Sequence, residues 1–295
     1  MPDADLIGLI VMRHRRTVTV EDKHRQHHLA VLKGRQLNPV VGDQVGWSTG
    51  AGGSARVNTV KPRSSEIIRL TRQGTGEVVA ANVTQLVVVV AAEPTPAPAL
   101  VDRYLGAAAV QGIQALIVAN KRDLQRVDAA LLAEYADLGY DSLQVSARTL
   151  AGLDQLTERL CDHTSVLLGQ SGVGKSSLTN ALIRDAEQPT KTLSQKSGQG
   201  RHTTSAARLF HLPQGGRLID APGVRDYAPY LEDLRQVQQA FVEIAAAAGD
   251  CRFNDCRHQA EPGCAVLEGI AAGSISQRRY ESFRSLAERH IRLQS

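Results

Sequence analysis

The sequence predicts a multi-domain chain with a small N-terminal β-barrel, a central and largely parallel α/β sheet, and a short helical C-terminal segment. Three observations carry this. The first 75 residues read as short strands broken by turns and hold the whole excess of positive charge. The middle contains apolar runs that each end in a glycine-rich or polar turn. Three of the four cysteines lie with a histidine inside fourteen residues near the end. A chain of 295 residues can bury two or three cores, and the expected divisions are 1–75, 76–229 and 230–295. No apolar run reaches membrane-spanning length, and "MPDADLIGLI" lacks the basic start of a signal peptide, so a cytoplasmic, membrane-free protein is expected.

In the first segment, "LIGLIVMRHRRTVTVED", "HLAVLKGR" and "VVGDQVGWSTGAGGSARVNTVKPRS" have the strand and turn spacing of a small barrel. Residues 1–75 carry 12 Lys and Arg against 6 Asp and Glu, while the remainder of the chain is near neutral. Arg13, Arg15, Arg16, Lys33, Arg35, Lys61 and Arg63 are the candidate phosphate contacts, with Lys23 and Arg25 nearby; a solvated basic face is the alternative. Trp47 is the only aromatic of this segment, so recognition of folded RNA by shape and backbone is expected rather than base stacking.

The apolar run Val166, Leu167, Leu168 leads into Gly169, Gln170, Ser171, Gly172, Val173, Gly174, Lys175 and Ser176, followed by Ser177. This is G-x-x-x-x-G-K-(S/T) at every fixed position, a loop whose backbone N–H groups cradle phosphates. Lys175 reaches the outer phosphates and the Ser176 hydroxyl can ligate Mg²⁺. Upstream, "ALIVANKRDL" ends in Asn120, Lys121, Arg122, Asp123, or N-K-x-D; a carboxylate at its last position accepts from the guanine N1–H and 2-amino group, a donor pair adenine lacks. Ser146-Ala147-Arg148 matches the S-A-(K/R) loop that approaches the base in GTPases. Downstream, "GGRLIDAPGV" supplies D-x-x-G, in which Asp220 holds Mg²⁺ through water and the Gly223 N–H senses the γ-phosphate. The motifs follow the order of a circularly permuted GTPase, which explains why the phosphate loop comes so late.

Cys251, Cys256, His258 and Cys264, spaced C-x-x-x-x-C-x-H-x-x-x-x-x-C, fit one closed tetrahedral zinc site with a structural role, disulfides being the less favoured alternative. Cys161 reads as a buried thiol. "SQRRYESFRSLAERHIRLQ" reads as a terminal amphipathic helix whose arginines either add RNA contacts or form a solvated face.

A barrel, a GTPase with N-K-x-D before its phosphate loop, and this zinc spacing together resemble the RsgA (YjeQ/EngC) family of small-subunit-dependent GTPases over nearly the whole chain. The resemblance implies an OB-type N-terminal barrel, a circularly permuted P-loop GTPase domain and a C-terminal helical zinc-binding domain. It also implies a bacterial factor that binds the small (30S) ribosomal subunit and its 16S rRNA and hydrolyses GTP to GDP during late subunit maturation, stimulated by the subunit. A monomer is expected. The residue after D-x-x-G is Val224, which cannot orient water, and the resemblance points instead to His202 as the catalytic group. Thr203 or Thr204 then completes the Mg²⁺ shell. Here the switch reads "GRHTTS", ending in Ser205, and D-(S/T)-P-G appears as D-A-P-G; neither departure removes an assigned group. The polar, Ser- and Thr-rich composition around His202 predicts a segment ordered by GTP or a partner. The rival reading is an RNA-docking module in which bound GTP signals occupancy and hydrolysis is incidental.

Overall fold

A computed structural model describes the chain except for residues 1–5, 35, 51–53, 72, 188–206, 222–229, 232 and 295. The barrel comprises β1 (Leu6–Arg13), β2 (Thr17–Glu21), β3 (His27–Leu32), β4 (Gln44–Thr49) and β5 (Ala55–Val60). Alternate residues point inward, so Ile10, Val18, Val20, Ala30, Val45, Trp47, Ala55 and Val57 form one buried core. The order β1-β2-β3-β5-β4 closes through a β1–β4 pairing, and of these pairings only β3–β5 is parallel. This is a five-stranded, OB-type barrel without free edges. Trp47 is 2% exposed, so it supports the barrel and offers no stacking platform.

A hairpin of β6 (Glu66–Leu70) and β7 (Gly76–Ala81) follows, so the expected division after residue 75 falls between its two strands. The chain then enters the central sheet through β8 (Gln85–Ala91), all seven residues of which are buried. Next come α1 (Pro98–Gln111), β9 (Gln114–Asn120), α2 (Ala129–Asp137), β10 (Asp141–Gln144), α3 (Leu153–Leu160), β11 (Thr164–Leu168), α4 (Lys175–Glu187), β12 (Arg208–His211) and β13 (Arg217–Asp220). The order is β10-β9-β8-β11-β13-β12, parallel except for β12. Continuous apolar strands are what a sheet covered on both faces demands. Leu86, Val88 and Val90 enter one core with Tyr104 and Leu105 of α1, while Val87, Val89 and Ala91 enter the other with Leu156 of α3 and Leu178 of α4.

The barrel and the sheet are continuous. Met12 of β1 pairs with Arg208 of β12, and the Arg13 N–H donates to the Ala207 carbonyl at 3.2 Å. The buried Glu21 carboxylate accepts from His211 Nε2 at 2.8 Å and from His27 Nε2 at 3.2 Å.

The C-terminal segment folds as α5 (Leu234–Gln239), α6 (Val242–Ala248), a cysteine-bearing loop, α7 (Ala265–Ala272) and α8 (Gln277–Gln294), around Phe241, Ile244, Val266, Tyr280 and Phe283. The expectation that the arginines of α8 face RNA or solvent fails for two of them. Arg279, 1% exposed, donates to Glu243 of α6 at 2.6 and 2.7 Å and to Asp102 of α1 at 2.9 Å. Arg278 reaches the other oxygen of Asp102 at 2.7 Å and Glu134 of α2 at 2.7 Å, and Tyr135 donates to Asp102 at 2.8 Å. A buried carboxylate on α1 gathers both guanidiniums because charge so deep must be paired. Asp102→Ala is expected to lower unfolding stability by about 3 kcal/mol, the scale for removing one partner of a buried pair, read as a fall in urea midpoint.

Candidate nucleotide and metal sites

The phosphate loop leaves β11 at Gly169 and enters α4 at Lys175, and two glycines are required by close approach. Gly169 has φ 146°, and a Cβ there would lie 2.3 Å from the Val89 carbonyl oxygen of β8. Gly174 has φ 95°, and its Cβ would lie 2.4 Å from Asn120 Nδ2. No other residue type fits either place. Lys175 Nζ donates to the carbonyls of Gly169 at 2.6 Å and Gln170 at 2.9 Å, spanning the loop. Val173 is buried, whereas Ser171, Gly172, Ser176 and Ser177 face outward. Lys175, Ser176 and Thr179 line one cavity with Asp220 and Ala221, so the hydroxyl and carboxylate expected to serve Mg²⁺ meet there.

The base-side loops converge from the ends of β9 and β10, as ligand-binding loops do at the carboxyl edge of open α/β sheets. Asn120, 2% exposed, donates through Nδ2 to the Val173 carbonyl at 2.9 Å and accepts through Oδ1 from the Ala147 N–H at 3.1 Å. Lys121 Nζ donates to the Glu93 carbonyl at 2.8 Å. Asp123 accepts from the buried Ser146 hydroxyl and from Arg148 Nε at 2.8 Å. Ser146 first, with Arg148 adding to it, holds the Asp123 carboxyl below the usual carboxylate range. Arg148 carries no expected role of its own in the sequence; the basic third position of S-A-(K/R) is the signal that marks it.

The donor atoms of Cys251, Cys256, His258 and Cys264 all lie within 4.8 Å of one another. His258 Nδ1 lies 3.6 Å from Cys251 Sγ and 3.4 Å from Cys264 Sγ, while those two sulfurs are 3.9 Å apart, beyond the S–S bond length of about 2 Å. Tyr280 donates to the His258 carbonyl and ties the loop to α8. Burial pushes the Cys256 thiol up to about 12, so a thiolate there needs a cation beside it, and burial lowers His258, leaving a neutral imidazole. The four residues can hold a metal ion, and three sulfurs with one imidazole suit a borderline-soft cation. Cys161 is half-buried rather than buried, its thiol donating to the Gln214 carbonyl at 3.0 Å.

Among the basic residues of the barrel, Arg15, Arg16, Lys33 and Lys61 are exposed. Arg13 is half-buried, reaching Asn38 Oδ1 at 3.4 Å. Arg63 departs from expectation. Its guanidinium grips the buried Asp43 at 2.8 and 2.9 Å, Glu66 at 3.0 Å and the Asn38 carbonyl at 3.3 Å, and hydrogen bonding to Asp43 raises its pKa. It braces the barrel against the hairpin, with four hydrogen bonds already engaging its guanidinium there. Arg35, His202, Thr203, Thr204, Gly223 and Val224 lie outside the described residues.

A family model described as RsgA GTPase matches residues 60–229. The chain belongs to the RsgA GTPase family. It is a GTP hydrolase with a circularly permuted sheet, as the order of its motifs predicts. A Small ribosomal subunit biogenesis GTPase RsgA from Chromohalobacter salexigens is 42% identical over 291 residues, spanning 96% of this chain and 85% of the relative. The RsgA of that name from Pseudomonas fluorescens is 46% identical over 252 residues, spanning 84% and 74%. Among solved structures, YjeQ from Thermotoga maritima matches with a TM-score of 0.75 at 29% identity, covering 97% of this chain and 98% of that one. YloQ, a circularly permuted GTPase, matches at 0.73 and 26% identity, covering 98% and 96%.

Asp123→Asn is expected to raise the Kd for GTP by at least about tenfold, because hydrogen bonds to a charged acceptor contribute about 1.5–3 kcal/mol each, and to improve binding of xanthosine triphosphate, whose 2-oxo group needs a donor. Competition against a fluorescent guanine nucleotide measures both.

Proposed function

We propose that this GTPase serves small ribosomal subunit biogenesis, binding the 30S subunit through 16S rRNA and coupling GTP hydrolysis to late maturation, with turnover stimulated by the subunit. The names of relatives up to 46% identical over the aligned residues support the process. One structural observation supports the coupling. The hairpin that exposes Arg15 and Arg16 is joined through β1 to β12, the strand that follows residues 188–206 and so the His202 segment. A barrel seated on RNA phosphates therefore bears directly on the chain leaving that segment. The protein acts as a monomer in the cytoplasm, where that substrate is; among the described residues no helix is long and apolar enough to cross a membrane.

In this reading Asn120, Lys121, Asp123, Ser146 and Ala147 hold guanine, and the loop from Gly169 to Ser177 holds the phosphates. Lys175 leaves the loop carbonyls for the outer phosphates. Ser176, Asp220 through water and Thr203 or Thr204 would hold Mg²⁺, which would supply neutralisation of the charge that develops on the β- and γ-phosphates. The Gly223 N–H senses the γ-phosphate. His202 orients the attacking water, a task closed to Val224. Cys251, Cys256, His258 and Cys264 would hold one zinc ion, which would supply structural cross-linking of the loop between α6 and α7 rather than chemistry.

GTP turnover with added 30S subunits is expected to rise by an order of magnitude or more, as partner-completed GTPase sites allow. His202→Ala should remove about a hundredfold of the stimulated rate. Arg15→Ala with Arg16→Ala should weaken subunit binding and reduce the slope of log affinity on log salt by up to about two. A rate indifferent to subunits would favour the docking-module reading instead.

Metal analysis should find about one zinc per chain. Cys256→Ala should lose it and destabilise the C-terminal helices while GTP binding persists, checked by equilibrium nucleotide binding on the same sample.

A further inference from the structure

Guanine offers two parallel donors, N1–H and the 2-amino group, and a carboxylate answers both only when it is ionised and its plane is aligned with the base. An aspartate side chain has two free torsions, so something must fix that plane. The surroundings of Asp123 contain two such braces on its two oxygens. The Ser146 hydroxyl accepts from the Thr149 N–H at 3.1 Å, which directs its single proton to Asp123 Oδ1. Arg148 presents the Nε and Nη2 edge of its guanidinium to Oδ2, at 2.8 and 2.7 Å. Both donors lie on one edge of a planar group, so they approach the oxygen from one side and leave its other lone pair for a base.

Energetics favours a positioning role over a stabilising one. The Arg148 side chain is 71% exposed and that of Asp123 only 10%. An ion pair with one partner so wet contributes about 0–1 kcal/mol to folding. Its geometric effect is not diluted in that way, because a side-on guanidinium dictates where the carboxylate plane lies.

We propose that Arg148 is a specificity-positioning residue for guanine, holding the Asp123 carboxylate in the orientation that reads the 2-amino group. The inference rests on Asp123 as the base acceptor. Its signature is discrimination between GDP and IDP, which differ only in that amino group. In Arg148→Ala a rotating carboxylate still meets N1–H but meets the second donor poorly. The Kd for GDP should rise about tenfold, the scale of one charge-assisted hydrogen bond, with a much smaller rise for IDP, so the ratio of the two constants shrinks. Arg148→Lys keeps the charge and loses the planar fork, and should recover only part of the ratio.

The experiment is equilibrium competition of GDP and IDP against a fluorescent guanine nucleotide, on the full chain as wild type, Arg148→Ala, Arg148→Lys and Asp123→Asn. A ratio that falls in Arg148→Ala and partly returns in Arg148→Lys supports the assignment. Equal weakening of both nucleotides would reduce Arg148 to a structural part and overturn it. Tighter GDP binding in Arg148→Ala would also overturn it, since the pair would then compete with the base. A wild-type protein that binds GDP and IDP alike, with Asp123→Asn unchanged, would instead sink the guanine reading of Asp123 itself.

Discussion

The nucleotide site depends on the two hydrogen bonds of one buried carboxamide. Asn120 satisfies a carbonyl of the phosphate loop with its nitrogen and an N–H of the base loop with its oxygen. Both ends are occupied, so the group rests at a depth where an unpaired amide would be costly. The contact is also what excludes a Cβ from Gly174. The candidate phosphate and base loops thus share a single hinge pin, and neither can move without disturbing the other. A leucine of similar size would fill the volume and lose both connections.

The second organising feature is the shared strand edge between barrel and sheet. A strand at the rim of an open sheet leaves backbone groups unpaired, and β12 meets that need with β1. Glu21 reinforces the junction from the barrel side by accepting from His211 on the same strand. The barrel is therefore no loosely tethered module. Its orientation relative to β12 is set by backbone geometry and one buried carboxylate.

How much was legible in the sequence depended on the separation of the partners. Gly169 through Ser176, Asn120, Asp123 and the Cys251 to Cys264 loop stood out in the sequence because each motif is short and its residue types match the chemistry expected of it. The strands were readable because inward and outward residues alternate or run continuously apolar. Arg63, Arg278 and Arg279 were not. Arg63 finds Asp43 across 20 residues and Arg279 finds Asp102 across 177, and no local pattern marks an arginine whose charge is neutralised from so far away. The same limit hid the β1–β12 junction, since an edge strand does not record in its own residues which neighbour will cover it. Arg148 falls between these cases: its type matched a loop pattern, but its contact with Asp123 needed the fold.

The permuted order has a consequence during synthesis. Chain growth delivers β8, β9 and β10 with their candidate base loops first, and Val173, which Asn120 must grip, emerges 53 residues after Asn120, several seconds of translation at about 5–20 residues per second. Until β11 arrives, β8 is paired only with β9 and leaves a strand that is apolar from Leu86 to Ala91 with one bare edge. That edge is the kind of template that captures other chains. How soon residues 164–168 emerge sets how long that edge would stay open.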